Sequence, residues 1–245
     1  MKNQIASRQP GIAALILRTS LCIAFGATLG YAVFSQFAFK KCTSCDAKEH
    51  RVTGEVSNFF IDSFTRNRDF LAPSLAIDTL FISRESMSSL LSSSCEGFRY
   101  YFAVKDSRLR LAFFPATCNT SNAKYDDVLS SFIIFPDTAI VTGAQLIESA
   151  RGIGYCSDYG RSASYSNDKV KAGFFCKKFF NDYLSADASI LGFKIFFAGT
   201  KTNPTSKTLV FKTYKAGDTL NSLHLRQGLE MSNPCPVFCG TSTIW

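Results

Sequence analysis

Histidine is scarce in this chain of 245 residues, which holds only His50 and His224. The sequence also lacks a Gly-x-Ser-x-Gly elbow, a Walker loop and a Gly-x-Gly-x-x-Gly fingerprint. Because a histidine base activates the nucleophile in most serine and cysteine hydrolases, few catalytic arrangements are available. We expect both histidines to be solvated, and we predict no catalytic, cofactor-binding or metal-binding residues and no cofactor.

Two weaker patterns also point away from catalysis. Ser166 and Lys169 have the Ser-x-x-Lys spacing, but the companion motifs of that enzyme class are missing. Asp126 and Asp127 are adjacent carboxylates, for which we expect a solvated turn rather than an acid/base pair.

The positive charge is not concentrated enough to indicate nucleic-acid binding. The formal net charge is +8, but residues 1–52 hold seven Lys and Arg side chains against two acidic ones. The remainder is only weakly basic, and its Lys and Arg residues are scattered rather than grouped in the dense patch that phosphate binding needs. We therefore predict no nucleic-acid partner.

An apolar segment near the start is long enough to cross a membrane. Residues 19–39 contain no charged side chain and are bounded by Arg18, Lys40 and Lys41. At about 1.5 Å per residue a helix of this length reaches about 30 Å, the thickness of the hydrocarbon core. The segment predicts a single-pass anchor with the C-terminal portion extracytoplasmic. A cleaved signal followed by secretion, and a buried helix of a soluble protein, are the alternatives.

The cysteine count favours an oxidising compartment. Nine cysteines are present, and eight remain when Cys22, inside the apolar segment, is set aside. An even number downstream of an export-like segment is typical of disulfide-bonded proteins, whereas free buried thiols are the other interpretation.

Cys42-Thr-Ser-Cys45 is the motif closest to known chemistry. Haem attachment is excluded because Asp46 stands where histidine is required. A structural disulfide or a free pair is our main interpretation. A thiol-redox site, and a four-cysteine metal site shared with Cys235 and Cys239, are alternatives.

Short sequence blocks recur in the same order along the chain, which indicates a tandem duplication. The recurring blocks are residues 52–54 with 141–143, 81–84 with 174–177, 97–103 with 192–198, and 109–116 with 209–216. The spacings are 89, 93, 95 and 100 residues. We predict an anchor or signal at 1–41, repeat units at 42–120 and 121–217, and a cysteine-containing tail at 218–245.

Each repeat is predicted to contain two helices and a hairpin. Thr53, Thr142 and Ser83 are placed as helix N-caps, with Gln145 completing a capping box after Thr142, whereas Cys176 stands where the second copy would have the capping serine. The fold class expected is α+β, with two tandem helix-helix-hairpin repeats around antiparallel sheet, preceded by a transmembrane or signal helix.

The hairpin of the first repeat can be registered from its alternation. Centring the turn between Asp106 and Ser107 places Phe102 opposite Leu111. Extending the same register sets Cys95 opposite Cys118, which predicts a cross-strand disulfide. The second face of the hairpin is only half polar, so another element is expected to cover it.

The order of these motifs resembles that of a group of small, uncharacterised exported bacterial proteins. The resemblance covers residues 50–118 and again residues 139–239, and it depends on the Gly-Phe-Arg/Lys-x-Φ-Phe-Ala strand at Gly97 and Gly192. Such proteins often end in Cys-Pro-Pro-x-Cys, whereas here Cys235-Pro-Val-Phe-Cys239 lacks one proline. The resemblance implies an exported α+β protein, and it implies no catalytic residue.

We therefore expect a membrane-anchored or exported protein without enzymatic activity, with a recognition or envelope-structural role and an unidentified protein partner. One alternative is an envelope thiol-redox or hydrolytic enzyme. Another is a small-ligand binder that uses the aromatic strand residues Tyr100, Tyr101, Phe196 and Tyr214.

Overall fold

The computed structural model describes residues 51–68, 72, 74–92, 95–119, 124–162, 172–199, 207–230 and 233–234. They form helices and antiparallel sheets, so the predicted α+β class is confirmed. The apolar segment 19–39 lies outside them. No helix within the described ranges combines the length and the apolar character that crossing a bilayer requires.

The helices are α1 (Gly54–Arg66), α2 (Arg84–Leu90), α3 (Ser149–Arg161), α4 (Lys177–Ala186) and α5 (Leu220–Leu225). The strands of the first half are β1 (Arg51–Val52), β2 (Leu80–Ser83), β3 (Gly97–Lys105), β4 (Arg108–Asn119), β5 (Lys124–Asp127) and β6 (Phe132–Ile134). Those of the second half are β7 (Leu146–Glu148), β8 (Ala172–Cys176), β9 (Ile190–Gly199), β10 (Lys207–Lys215), β11 (Gly228–Glu230) and β12 (Asn233–Pro234).

These strands build two sheets. The five-stranded sheet has the order β1-β11-β10-β9-β2, and the seven-stranded sheet has the order β12-β8-β3-β4-β6-β7 with β5 paired to β4. Residues 218–230, predicted as part of a tail, contribute α5 and β11, and β11 is an internal strand of the five-stranded sheet.

An aromatic core joins the facing sides of the two sheets. Phe211 of β10 lies with its ring centroid 6.1 Å from Phe98, 6.1 Å from Phe113 and 4.9 Å from Phe175. Phe211 is 1% exposed and the other three rings are fully buried. Since each buried aromatic side chain removes 150–250 Å² from water, this cluster is a major source of the fold's stability.

Helices cover the outer side of each sheet. Phe60 of α1 packs on Phe196, Ala198 and Val210 of the five-stranded sheet. The second face of the β3–β4 hairpin is covered by α3, whose Cys156 lies in one cluster with residues of that face. The expectation that another element covers this half-polar face is confirmed.

The sheets exchange elements between the two halves of the chain. Strand β2 pairs with β9, with Ser83 opposite Gly192, and β8 pairs with β3, with Cys176 opposite Gly97. Each sheet therefore contains strands from both halves. Neither half can complete its own sheet without the other.

Local signals in the sequence place several elements correctly. The side chain of Thr53 accepts a hydrogen bond from the Val56 amide, and that of Ser83 accepts one from the Ser86 amide, so both are N-caps as predicted. Phe102 lies opposite Leu111, which confirms the hairpin register. Asp106 and Ser107 have φ values of 51° and 56°, as a two-residue type I′ turn requires.

The predicted helix start at Thr142 is wrong, because α3 begins at Ser149. Gln145 is engaged elsewhere: its side-chain amide donates to the Phe81 carbonyl, and its side-chain oxygen accepts from the Ser83 amide. The segment before α3 therefore runs along β2 and closes that exposed sheet edge. A buried glutamine held by two backbone hydrogen bonds cannot also form a capping box.

The two strand exchanges depend on glycines that leave no room for a side chain. A Cβ on Gly97 would lie 2.1 Å from the Phe175 carbonyl oxygen, and one on Gly192 would lie 2.2 Å from the Ile82 carbonyl oxygen. We predict that Gly97→Ala and Gly192→Ala each lower the free energy of unfolding by about 3 kcal/mol or more, since the clash is with backbone. Denaturant unfolding measures this.

Gly154→Ala is the matched control, because nothing lies within 4 Å of a Cβ built at that position in α3. It should raise the free energy of unfolding by about 0.5–1 kcal/mol, the usual gain of alanine over glycine inside a helix. Equal effects at Gly97 and Gly154 would contradict the packing argument.

Candidate functional site

Several residues that the sequence singled out lie outside the described ranges. These are Cys42, Cys45, Cys235, Cys239 and His50. The redox and metal interpretations of the four cysteines therefore stay predictions. Among the described residues, no group of three or more His, Cys, Asp and Glu side chains could hold a metal ion.

The predicted Cys95–Cys118 disulfide is wrong. Cys95 is a free, buried thiol whose Sγ donates to the Leu90 carbonyl at 3.3 Å. The extrapolated register fails because β3 begins only at Gly97, whereas Cys118 continues along β4 and lies opposite Tyr125 of β5. Burial raises the pKa of the Cys95 thiol, so the thiolate that oxidation requires is disfavoured.

Asp127 is a buried ion-pair partner rather than the solvated turn residue that the sequence suggested. Its Oδ1 lies 3.0 Å from Nη1 of Arg99, and the two side chains are 4% and 0% exposed. The Tyr101 hydroxyl donates to Asp127 Oδ2 at 2.5 Å and accepts from Arg99 Nη1 at 3.0 Å. Arg99 Nη2 also donates to the Tyr125 carbonyl.

Burial dominates the electrostatics of this cluster. It raises the pKa of Asp127 although Arg99 and the Tyr101 hydroxyl both favour the carboxylate. The pKa of Tyr101 is also raised, first by burial and then by the charge of Asp127. Arg99 Nε and Asp126 Oδ1 are buried without a hydrogen-bond partner in the described part of the chain. The positive charge of Arg99 is therefore compensated by the Asp127 carboxylate inside the protein, and removing both charges from water has a substantial desolvation cost.

Cys156 lies on α3 in the same layer and is a free, fully buried thiol. Burial, with a smaller contribution from Asp127, raises its pKa to about 12. At neutral pH the thiolate is then a negligible fraction of the population, and no substrate can reach the sulfur. Cys156 has neither the charge state nor the access that a nucleophilic cysteine needs.

The outer face of the five-stranded sheet carries one buried and one half-buried lysine. Lys212 of β10 is fully buried, and its Nζ donates to Asn58 Oδ1 of α1 at 2.7 Å. Burial lowers the pKa of Lys212 to about 8. Lys194 lies opposite Lys212 in the register, with its Nζ 5.6 Å from the centroid of the Phe81 ring, and its pKa is lowered by burial.

Three of the four aromatic residues predicted as a ligand surface are core residues, and the fourth, Tyr214, is partly buried edge-on against Phe81. Tyr100 and Tyr101 are fully buried, and Phe196 is 7% exposed. Tyr100 contacts Phe102 edge-on, with ring centroids 5.5 Å apart. A ligand could reach the Tyr100 and Tyr101 rings only by separating the packed layers.

Surface clefts lie beside α1 and α2, and a polar side chain in each makes structural contacts. In a cleft of about 220 Å³ beside α1, Asp78 makes ion pairs with Arg108 at 2.7 Å and Arg110 at 2.9 Å. In a cleft of about 430 Å³ beside α2, the Ser83 hydroxyl caps the helix and donates to the Gly143 carbonyl at 2.7 Å. Asp78 and Ser83 are therefore engaged in structural contacts.

The buried polar groups could not be located from sequence alone. Arg99 and Lys194 each lie between two apolar or aromatic residues of a strand, and Lys212 follows Phe211. This is the only local signal that a covering layer would bury them fully or in part. The position of that layer depends on long-range packing.

No family model, curated protein or solved structure matches this chain.

Removing the carboxylate would leave Arg99 buried without its counter-ion. We predict that Asp127→Ala lowers the free energy of unfolding by about 3–5 kcal/mol, as measured by chemical denaturation. The double variant Arg99→Met with Asp127→Leu should recover much of this loss, because no uncompensated charge remains. Asp158→Ala, at an exposed position of α3, is the control and should change stability by less than about 0.5 kcal/mol. A similar loss of stability in Asp127→Ala and Asp158→Ala would contradict the buried ion pair between Arg99 and Asp127.

Lys212 should make stability depend on pH in a defined direction. Its pKa in the fold is about 8, against 10.5 for an ordinary lysine, so between these pH values the unfolded chain binds more protons than the folded one. The free energy of unfolding should then rise with pH across that window, by about 2 kcal/mol relative to Lys212→Met. Lys178→Met, at an exposed position of α4, is the control and should keep the wild-type profile. Parallel profiles for the wild type and Lys212→Met would contradict the proposed burial of the charge.

Proposed function

We propose that this chain is a membrane-anchored or exported protein without enzymatic activity, in which a duplicated scaffold serves recognition or envelope structure. The observation that carries the proposal is where the unusual polar groups lie. Arg99, Tyr101, Asp127, Cys156 and Lys212 are all enclosed between a sheet and its covering helix. In those positions they specify packing and are not accessible to a substrate.

We also propose that the scaffold arose by tandem duplication and that its copies exchange a strand and a helix. The support is that both exchanges use one register: Ile82 lies opposite Phe193 in one sheet, and Phe175 lies opposite Phe98 in the other. Ile82 and Phe175 are 93 residues apart, and Phe98 and Phe193 are 95 residues apart. Two unrelated halves would not be expected to share this pairing.

The covering helices support the same proposal. α1 and α3 both have 13 residues, and Gly54 and Ser149 begin them at a separation of 95 residues. The sequence blocks predicted a separation of 89 residues, because they placed the start of the second helix at Thr142. The observed separation is 95 residues.

Ring contacts follow the same correspondence. Phe64 of α1 lies 5.9 Å from Phe197 of β9, and Tyr159 of α3 lies 5.6 Å from Phe102 of β3, in centroid distances. In each pair, a ring from the last turn of a covering helix contacts a ring of the first strand of a hairpin, and the two contacts are at corresponding positions of the proposed copies.

β4 and β10, the second strands of the two hairpins, correspond at a separation along the chain that differs from the predicted one. Phe113 lies opposite Tyr100, and Phe211 lies opposite Ile195, which makes Phe113 and Phe211 equivalent at a separation of 98 residues. The sequence blocks predicted a separation of 100 residues. The difference means that two residues fewer than expected separate the paired strands in the second copy.

An exported, anchored chain makes a direct prediction for its location. In bacterial cells the full chain of 27.0 kDa should remain in membranes washed with alkaline carbonate, because residues 19–39 would span the bilayer. A phosphatase that is active only outside the cytoplasm should be active when fused after Trp245. A variant lacking residues 19–39 is the control, and it should be soluble and inactive in this assay.

The mass of the membrane-bound or secreted protein distinguishes the two export routes. Loss of the N-terminal segment would indicate a cleaved signal. A soluble full-length chain with an inactive phosphatase would overturn the proposed location, and turnover of a substrate that one polar substitution abolishes would overturn the non-enzymatic role.

A further inference from the structure

The two covering helices expose very different surfaces, although they occupy equivalent places. Val56 and Phe59 of α1 are 40% and 52% exposed. The corresponding residues of α3, at the separation of 95 residues, are Arg151 and Gly154. The scaffold itself therefore does not require exposed apolar side chains at these positions.

A neighbouring helix extends the apolar character of this surface. α5 contacts α1, and its Leu220 and Leu225 are 61% and 86% exposed. Isolated exposed leucines are ordinary on soluble proteins, but four large apolar side chains on two touching helices are typical of an interaction surface.

The charges on α1 indicate which partner fits. At 100° per residue, Glu55, Phe59, Asp62 and Arg66 fall within a stripe about 60° wide on the exposed side of the helix. Glu55 lies in the first turn, Asp62 lies past the middle of the helix, and Arg66 lies in the last turn. A helix with this pattern is complementary to an antiparallel copy of itself.

We propose that the exposed stripe of α1, with α5 at its side, is the interface of a homodimer whose two α1 helices pack antiparallel about a two-fold axis. An axis midway between Phe59 and Asp62 places Glu55 of one copy opposite Arg66 of the other, twice by symmetry. Phe59 and its symmetry mate then lie near the centre. The helix dipoles also oppose each other in this arrangement.

The proposal goes beyond the non-enzymatic scaffold by naming its partner, a second copy of the chain, and it does not depend on the membrane anchor. The two-fold interface is isologous, so the same residues are supplied by both copies. Apolar contact would supply affinity, and the two Glu55–Arg66 pairs would fix the direction of the helices.

Photo-crosslinking of the full chain tests the contact directly. Phe59→benzoylphenylalanine replaces one aromatic side chain by a slightly larger one at an exposed position. Irradiation should give a crosslinked product of twice 27.0 kDa. The matched control is Gly154→benzoylphenylalanine on α3, which should give at most a tenth of that product. Crosslinking only to lipid or to a different protein, or equal yields at both positions, would overturn the proposal.

Charge reversal tests the direction of packing. Glu55→Arg should reduce the yield at position 59 at least about tenfold, because each Arg66 would face another arginine. Combining Glu55→Arg with Arg66→Glu restores the complementarity and should restore the yield. Both sites are exposed, and circular dichroism with thermal melting verifies that the variants remain folded. Failure of the double variant to recover, with the fold intact, would overturn the antiparallel arrangement.

Discussion

The close approach of backbone to backbone at Gly97 and Gly192 is the constraint on which the architecture depends. At each glycine a carbonyl oxygen from the other half of the chain occupies the space of a missing Cβ. This contact lets β8 pair with β3, and β2 pair with β9, close enough for Phe174 and Phe81 to pack over the glycines. Because each half supplies a strand that the other half needs, the core forms only when both halves are present.

The two outer layers use different solutions to the same electrostatic problem. Arg99 is neutralised by Asp127, and the Tyr101 hydroxyl is hydrogen-bonded to both side chains. Lys212 donates a hydrogen bond to an amide oxygen, and burial lowers its pKa, which favours the neutral amine. A guanidinium cannot lose its proton in this way, so it requires a carboxylate, whereas an amine can be buried with a neutral partner. On the proposed duplication, equivalent layers are therefore expected to differ in their sensitivity to pH.

The features that could be predicted from the sequence are those set by residues close to one another in the chain. The N-caps at Thr53 and Ser83 and the register of the first hairpin follow from side-chain chemistry and strict alternation, and they are confirmed. The choice of strand partners could not be predicted, because β3 and β9 carry the same Gly-Phe pattern and either could accept β2 or β8.

The failures of the sequence interpretation share a long-range cause. Gln145 reads as a capping residue in its local sequence, yet it closes the edge of β2 some 60 residues earlier in the chain. Asp127 reads as a polar turn residue until β5 pairs with β4 and places it beside Arg99. Cys95 and Cys118 would face each other only if β3 extended before Gly97. In each case a tertiary contact overrides a local preference that is itself physically reasonable.

On the proposed duplication, each copy of the scaffold is a reference for the surface of the other. The packing side of α1 and α3 must meet equivalent sheets, so differences there are limited by volume, as where Ser57 faces Gly228 on one side and Gly152 faces Ile133 on the other. The solvent side carries no such restraint, and there α1 presents Val56 and Phe59 where α3 presents Arg151 and Gly154. Exposed apolar side chains carry an aggregation risk, and the fold does not need them. Their retention on one helix, beside a charge pattern that is complementary to its own reverse, is most simply explained by a partner that buries them.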